Sequence, residues 1–315
     1  MSATANLKKI IKNTAPGIFL SLREAYRTGM HAFRKRVPQK KYPYYVAKKY
    51  KKMFGETPDI EHPKKYSEKI QWLKLYDDNS LRTELTDKAA VRDWIEEKIG
   101  SEYLIPLIGI YDSVDEIDFD KLPEEYAIKL NHGSGWNIVV DKDHPADVPK
   151  MKRQIRKWMK LNYAFWNVFE IHYMPIKPRI VIEKYIVDSK GELNDYKFLC
   201  FDGEVKYFWI DFDRNTNHKR NVYDLDWNLQ PWSQRDYGNY EGTVEKPENF
   251  DKMVEIADKL CKGFRHVRVD LYNVDGKIYF GEMTFTNGSG YEGIYPREFE
   301  YKIGKLIKLP TDEEE

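Results

Sequence analysis

A lysine and a glycine-rich turn lie close together between two apolar stretches in Tyr126–Val140, "YAIKLNHGSGWNIVV". Because Gly133 and Gly135 let the backbone approach a ligand closely, the turn can present N–H groups to a phosphate, and Lys129 adds a positive charge. A Walker A loop needs Lys-Ser/Thr after its last glycine, and a dinucleotide loop needs a third glycine opening a helix; both are absent. The stretch is therefore a phosphate-binding hairpin of another kind or a plain β-hairpin turn.

A pair of carboxylates is the second candidate: Asp270 in "RVDLY" and Glu282 in "GEMTFTNGSG" both interrupt apolar strands, which is costly unless a cation pairs with them. If the hairpin turns through a three-residue loop at 274–276, Arg268 faces Glu282 and Asp270 faces Phe280. The carboxylates are then diagonal neighbours on one face and suit Mg²⁺ ions that also take phosphate oxygens, with Arg268 at the phosphoryl group. A two-residue turn would put them on opposite faces. A solvent-facing sheet is the alternative.

Two further patterns have both a chemical and a structural interpretation. Glu183 in "RIVIEKYIV" either forms an edge-strand salt bridge or accepts from the amine of adenine, with the backbone from Lys184 to Ile186 at the ring edge. The tripeptide "DFD" at 211–213 matches the Asp-x-Asp pattern that holds a metal–diphosphate. Near it, three residues either clamp an anionic acceptor or form an exposed turn: His218, Lys219 and Arg220.

The elements that must position these residues mix helices and strands without a regular βαβ rhythm. Helical periodicity and capping signals predict helices near 67–77, 86–100, 147–162 and 248–264. Apolar runs bounded by turn residues predict strands at 126–131, 136–140 and 179–187 and a final hairpin at 266–285. This arrangement predicts an α+β fold with mostly antiparallel sheets.

Charge is distributed unevenly along the chain. Residues 1–55 hold 14 Lys or Arg and a single acid, Glu24, which gives them +13 and leaves −12 on the rest of a chain whose total is +1. This segment, predicted to be helical over 5–55, sits on an anionic membrane surface, binds an acidic polymer, or packs as a solvated helix pair on the acidic body. No nucleic-acid-binding motif accompanies the charge. Cys200 and Cys261 form no CxxC pair, which favours a reducing cytosol.

Several of these stretches, in this order, resemble the ATP-grasp superfamily. They are "TDKAAVRDWI" with Lys88, "IKLNHGSGWN" with Lys129, the "VIEKYI" strand, the "DYKFLCFDGE" strand pair and the "VRVDLY…GEMTFTNGSG" hairpin. Within it, the chain is similar to the TupA-like group of teichuronopeptide-biosynthesis type, through "KYSEKIQWLKLYD", "YDSVDEIDFDKLP", "NHGSG", "HKRNVYDLDWN" and "FRHVRVDLYNVDGKIYFGEMTFT". The resemblance covers residues 60–310 and leaves out the basic segment.

The resemblance implies a nucleotide site. Lys88 and Lys129 would neutralise the phosphates of ATP, and the loop 131–137 would close over them as a lid. Glu183 and the backbone of Ile186 would bind adenine. Together with a ribose contact, the implied set is Lys88, Lys129, Asn131, His132, Gly133, Ser134, Gly135, Glu183, Ile186 and Asp195.

The resemblance also implies a magnesium site and two catalytic residues. The superfamily usually has Asn two residues after its metal-binding glutamate, whereas this chain has Thr284, so a second metal ion would use Thr284 or Asn287. Lys197 would reach the phosphates or the acceptor. The implied residues are Asp270, Glu282, Thr284 and Asn287 for the metal, and Arg268 and Lys197 for catalysis.

By this resemblance the chain is an ATP- and Mg²⁺-dependent ligase that joins a carboxylate to an amine or thiol through an acyl phosphate. Its acceptor would be an anionic, uronic-acid-containing glycan of the cell surface, with an amine donor. Three alternatives stay open: a nucleotide-sugar glycosyltransferase, a kinase of a glycan, and a non-catalytic glycan-binding module.

The predicted organisation has four parts. They are a basic helical segment at 1–58, a preceding region at 59–125, a lid subdomain at 126–185 and a C-terminal subdomain with the metal hairpin at 186–310. The expected location is the cytoplasm, with peripheral contact at the inner face of the membrane through residues 1–55 as an extension of that expectation.

Overall fold

The computed structural model describes residues 16–77, 81–189, 193–212 and 217–310. Its helices are α1 (Pro16–Arg34), α2 (Tyr42–Phe54), α3 (Tyr66–Tyr76), α4 (Leu81–Thr86), α5 (Val91–Ile99), α6 (Val148–Met159), α7 (Tyr163–Trp166), α8 (Phe250–Leu260) and α9 (Phe299–Gly304). Short 3₁₀ turns occupy Gln39–Lys41, Ser101–Tyr103, Val114–Glu116, Phe119–Lys121, Ile171–Tyr173 and Asn287–Gly290. Among the described helices, none combines the length and apolar character that a membrane span requires.

The strands form two main antiparallel sheets and a short two-stranded one. They are β1 (Leu107–Tyr111), β2 (Tyr126–Leu130), β3 (Asn137–Val140), β4 (Ile180–Lys184), β5 (Asn194–Phe201), β6 (Glu204–Phe212), β7 (Lys219–Asp224), β8 (Ser233–Gln234), β9 (His266–Val274), β10 (Lys277–Thr284) and β11 (Ile294–Tyr295). The orders are β1-β4-β2-β3, β10-β9-β5-β6-β7 and β11-β8. The predicted α+β class with antiparallel sheets is confirmed.

The four-stranded sheet packs one face on α6. Ile128 and Ile182, on the paired central strands β2 and β4, are buried there against Met151 and Ile155 of the helix. Asp147 caps α6 by accepting from the backbone N–H of Lys150, while most of its basic side chains face outward. The helix predicted at 147–162 is confirmed, and it leaves the other face of the sheet available for a site.

The five-stranded sheet is apolar on one face, which packs on α8 through Phe198, Phe208, Val269 and Leu271. Side chains alternate between faces along each strand. The residues between those apolar positions therefore lie on the second face, where Lys197, Asp270 and Arg268 are found. The charged candidates thus share one surface of this sheet.

The turn of the last hairpin is shorter than predicted. Val274 pairs with Lys277, so the connection is the two-residue turn Asp275–Gly276 and not the three-residue loop 274–276. Both turn residues have positive φ, 49° and 84°, as a type I′ turn requires. The Asp-Gly sequence favours this turn because its twist matches that of the strands.

A bulge changes the register of this hairpin again. A regular ladder from the two-residue turn would put Asp270 opposite Gly281, but the pairing shifts by one residue between Phe280 and Glu282. Asp270 lies directly opposite Glu282. The prediction that Arg268 faces Glu282 and Asp270 faces Phe280 was wrong, yet the two carboxylates share one face as expected, because the bulge compensates for the short turn.

The helix predicted at 86–100 begins later than predicted, at Val91, and a separate short helix, α4, precedes it. α4 ends at Thr86, and the Asp87 carboxylate accepts from the backbone N–H groups of Ala89 and Ala90 before α5 begins at Val91. Lys88 therefore lies in a turn between two helices. The backbone N–H of Lys88 donates to the carbonyl of Asn131, which attaches this turn to the glycine-rich loop.

Candidate active site

A cavity that is partly open to solvent lies between the four-stranded sheet, the α4–α5 turn and strand β10. Four of the predicted site residues line it: Lys88, Lys129, Glu183 and Glu282. The rest of its lining is Leu85, Thr86, Val91, Arg92, Leu104, Tyr173, Phe280, Gly281 and Met283. Apolar walls beside a few convergent charges are typical of a small-molecule site.

Glu183 forms ion pairs with two basic side chains in this cavity. Its Oε2 accepts from Lys129 Nζ at 2.7 Å, and its Oε1 accepts from Arg92 Nη1 at 2.6 Å. Strand β4 lies between β1 and β2, so the predicted salt bridge of Glu183 is present but lies on a central strand and not on an edge strand. Each carboxylate oxygen has a second lone pair, so Glu183 retains acceptor capacity for a ligand donor.

Arg92 is a site residue that the sequence analysis missed. It is the second residue of α5, where a positive charge opposes the positive end of the helix dipole. Glu183 and the carbonyl of Ile105, which accepts from Arg92 Nη2 at 2.9 Å, stabilise it there. A basic side chain in the first turn of a helix, four residues after Lys88, was the available signal.

The glycine-rich loop is anchored at its first residue, Asn131, and held by Lys88. Asn131 is fully buried and binds the segment before β4, with its Nδ2 donating to the carbonyl of Lys177 and its Oδ1 accepting from the N–H of Arg179. Lys88 Nζ donates to the carbonyl of Gly133 at 2.6 Å. Burial lowers the pKa of Lys88. The structure thus brings the first lysine to the loop that the resemblance paired with it.

Residues of this loop differ in exposure. His132 is buried, with Nδ1 beside Asn131 Oδ1 and Nε2 beside the carbonyl of Trp158, and burial lowers its pKa to about 4. It therefore supports the loop as a neutral ring. Ser134 and Gly135 are exposed at the tip. The loop thus offers its backbone, rather than the imidazole, to a ligand.

Charged side chains of β5, β9 and β10 form a second group. Lys197 pairs across strands with Asp270, its Nζ lies 3.3 Å from Asp270 Oδ2, and it also contacts Asp195. Arg268 donates to both oxygens of Asp270 at 2.6 Å and to Glu282 Oε1 at 2.8 Å. Glu282 belongs to this group and also lines the cavity, so the two groups are continuous.

Burial and neighbouring positive charges shift the pKa values of the two carboxylates in this group in opposite directions. Burial raises the pKa of Asp270 to about 6, although Arg268 and Lys197 favour its charged form. Burial also disfavours the charge on Glu282, but Arg268 and Lys88 hold its pKa below the ordinary value. Near neutral pH both carboxylates are therefore largely charged.

The residues that the resemblance assigns to magnesium supply carboxylate oxygens, and both oxygens of Asp270 also accept from Arg268. Carboxylate oxygens are hard ligands, and Asp270 and Glu282 face each other across one pair of strands. Thr284 Oγ1 donates to Glu282 Oε1 at 3.1 Å, and the buried Asn287 Oδ1 has no hydrogen-bond partner among the described residues. No three His, Cys, Asp or Glu side chains of the described ranges form a group that could hold a metal ion by themselves. A magnesium ion that is held by two carboxylates would take its remaining ligands from water and phosphate oxygens.

Of the three residues of the predicted acceptor clamp, the structure brings His218 and Arg220 together at Asp211. Asp211 Oδ1 accepts from Arg220 Nε at 2.6 Å and lies 2.9 Å from His218 Nε2, so both are engaged within the protein. Strand alternation places Lys219 on the other face from Arg220. Asp213 of the Asp-x-Asp pattern lies outside the described residues. Ile186, the predicted adenine contact, lies half-buried two residues after β4.

Several ligases of known structure are similar to this chain over part of their length. A D-alanine–D-alanine ligase from Bacillus anthracis complexed with ATP is 17% identical, with a TM-score of 0.41, and 74% of this chain and 69% of that chain are covered. The ATP-grasp ligase PsnB with its minimal precursor, Mg and ADP is 10% identical, with a TM-score of 0.37, and 65% and 52% are covered. An L-amino acid ligase from Bacillus licheniformis is 15% identical, with a TM-score of 0.36, and 65% and 41% are covered.

The family assignment depends on the sequence rather than on these structures. The chain spans 65% of the length of another Bacillus anthracis D-alanine–D-alanine ligase that it resembles. No curated protein sequence is similar enough to count as a relative. Residues 68–308, well over half of the chain, match the family described as TupA-like ATPgrasp. The chain therefore belongs to the TupA-like ATP-grasp family.

Proposed function

We propose that this chain is an ATP- and Mg²⁺-dependent ligase that joins a carboxylate to an amine through an acyl phosphate. The observation that carries the proposal is the single cavity in which Lys88, Lys129, Glu183 and Glu282 converge, with Asp270 opposite Glu282. Cations for phosphates, an acceptor for a base and carboxylates for magnesium are the parts that ATP-dependent phosphoryl transfer needs.

In the proposed reaction, an oxygen of the substrate carboxylate attacks the γ-phosphorus of ATP, and the bond from that phosphorus to the bridging oxygen of ADP breaks. An amine then attacks the acyl carbon, phosphate leaves, and the amine loses a proton. Lys88 and Lys129 neutralise charge on the phosphates, and Arg268 is placed to stabilise the transferred group. When bound, Mg²⁺ supplies further charge neutralisation. The glycine-rich loop excludes water that would hydrolyse the acyl phosphate.

The acceptor in this proposal is an acidic glycan of the cell surface or its precursor, with a uronic acid as the carboxylate. One feature of the cavity supports a sugar. Tyr173 lines it, and the ring of the neighbouring Tyr163 lies 4.7 Å from that of Tyr173, so partly buried aromatic rings lie beside the charged residues. Aromatic rings of this kind pack against the apolar faces of pyranoses.

Calorimetric titration tests the nucleotide site. ATP with Mg²⁺ and, separately, a UDP-sugar are titrated into the wild type and the Asp270→Asn/Glu282→Gln variant. We expect Mg²⁺-dependent binding of ATP that the double variant loses, because Mg²⁺ would lack its protein ligands. Asp251→Asn/Glu255→Gln, on the surface of α8, is the matched control and should bind as the wild type does.

The other outcomes separate the alternatives. Binding of the UDP-sugar without affinity for ATP would favour a glycosyltransferase. ATP binding with transfer of phosphate to a sugar hydroxyl, detected as a phosphorylated glycan, would favour a kinase. Glycan binding that does not need Asp270 and Glu282 would leave a non-catalytic module.

A further inference from the structure

Helix α1 turns its polar side toward the protein. Four of its side chains bind the body of the protein, although a surface helix usually buries its apolar residues instead. Arg34 Nη1 donates to the carbonyls of Phe165, Trp166 and Asn167 at the end of α7. The inward-facing set is Glu24, Arg27, His31 and Arg34.

The opposite side of α1 is apolar and exposed. Leu22, Tyr26 and Phe33 are exposed to 57%, 68% and 43%. Their spacing of four and eleven residues from Leu22 places them on one stripe, about 140° around the helix from the inward-facing set. We name this set, Leu22, Tyr26 and Phe33, the outer stripe. Apolar side chains grouped and exposed on one face of a helix are typical of an interaction surface.

The charge around the outer stripe is entirely positive. Glu24 is the single acid of residues 1–55, and it pairs inward with Lys157. The exposed basic residues beside the stripe and on the following segment are Arg23, Lys35, Arg36, Lys40 and Lys41. The partner must therefore be anionic as well as able to accept apolar side chains.

We propose that the outer stripe of α1 binds the surface of an anionic lipid bilayer. Leucine and aromatic rings that insert at headgroup depth, flanked by basic residues that contact lipid phosphates, are the pattern of an interfacial helix. A soluble polyanion satisfies the basic residues but leaves the stripe in water. A second copy of the chain covers the stripe but brings the same positive charge against it.

Sedimentation of the full chain with vesicles tests this proposal. We expect binding to vesicles of phosphatidylcholine mixed with phosphatidylglycerol, and much weaker binding to phosphatidylcholine alone. Leu22→Ser/Tyr26→Ser should weaken binding to the anionic vesicles by about tenfold or more, because two apolar side chains no longer enter the bilayer. Lys40→Gln/Lys41→Gln should weaken it too, with a smaller dependence on salt.

A matched control is available on the body of the protein. Leu229 and Tyr301 are exposed to 49% and 48%, similar to the stripe residues. Leu229→Ser/Tyr301→Ser should bind anionic vesicles as the wild type does. Because all the substituted side chains are exposed, thermal melting of each variant should match that of the wild type, which separates loss of binding from loss of folding.

Three results would overturn the proposal. Binding to anionic vesicles that the stripe variant leaves intact would show that charge alone is responsible. Binding to a polyuronate but to no vesicle would assign the basic segment to an acidic polymer. A molecular mass that doubles with protein concentration in the wild type only, without vesicle binding, would make a second copy the partner. None of these experiments measures nucleotide binding, so their results do not depend on whether the proposed ligase function is correct.

Discussion

The candidate site is built from two hairpins that contribute different parts: β2–β3 contributes its loop, and β9–β10 contributes side chains in the middle of its strands. In β2–β3 the strands pair regularly from Tyr126↔Val140 to Lys129↔Asn137, and the ligand-facing groups lie in and next to the loop. In β9–β10 the turn is remote from the site, and side chains in mid-strand carry the charges. The first hairpin therefore depends on loop conformation and the second on strand register.

This difference predicts how each hairpin responds to change. A loop that binds through its backbone tolerates many side chains at its exposed tip but not a substitution that blocks its fold. A strand pair tolerates change in its turn but not a change that moves one carboxylate relative to the other. Four changes to the two hairpins should separate these responses.

The largest effect should come from the lysine beside the loop. Lys129→Met removes a cation from the proposed phosphate site, and ATP-dependent turnover should fall by about 10²- to 10³-fold, because charge in the transition state loses a fixed partner. Glu183 keeps its ion pair with Arg92, so the fold should persist. Steady-state phosphate release measures the effect. Lys142→Met, exposed after β3, is the control, and an equal loss in both variants would remove Lys129 from the site.

The second prediction concerns the bulge at Gly281. A Cβ at this position would lie 3.0 Å from the carbonyl oxygen of Asp270 and 3.1 Å from the ring of Tyr272. Gly281→Ala should therefore cost about 1–3 kcal/mol of unfolding free energy and, by displacing Asp270, weaken Mg²⁺-dependent ATP binding by about tenfold. Denaturant unfolding and calorimetry measure the two effects.

The control for this variant is Gly29→Ala, because a Cβ at Gly29 has no atom within 4 Å. That variant should be as stable as the wild type or slightly more stable, since alanine favours a helix. Unchanged nucleotide binding in Gly281→Ala would mean that the register of β9–β10 does not position the metal ligands.

The difference between the two hairpins also explains which of their features could be predicted from the sequence. The glycine-rich loop was located correctly because neighbouring residues define it: its glycines lie between two apolar runs of the sequence. The register of β9–β10 was not, because the compensating bulge at Gly281 is recognisable only once the turn and the pairing are both known. Arg92 was missed because its partner, Glu183, is distant in sequence, and only its unfavourable position in the helix dipole marks it.

The third prediction is a pH dependence that belongs to the second hairpin. Burial raises the pKa of Asp270 to about 6, so the carboxylate is charged above that pH and protonated below it. Mg²⁺-dependent ATP binding should therefore be strongest at neutral pH and fall by about tenfold between pH 7 and pH 5.

Titration of the nucleotide itself must be separated from this effect. Binding of Mg²⁺-free ATP, measured over the same pH range, corrects for it. Asp270→Asn should bind weakly at every pH and lack the step near pH 6. A step of the same size in Asp270→Asn would assign the titration to another group.

The smallest effect should come from Thr284, which occupies the place where the superfamily usually has asparagine. Its hydroxyl donates to Glu282 Oε1 at 3.1 Å in a half-buried position, so Thr284→Val should weaken Mg²⁺-dependent ATP binding by no more than about tenfold. Thr284→Asn supplies an amide oxygen, a better neutral ligand, and should tighten Mg²⁺ binding relative to valine. If asparagine and valine behave alike, Thr284 orients Glu282 without approaching the metal, and the second hairpin holds magnesium through its facing carboxylates alone.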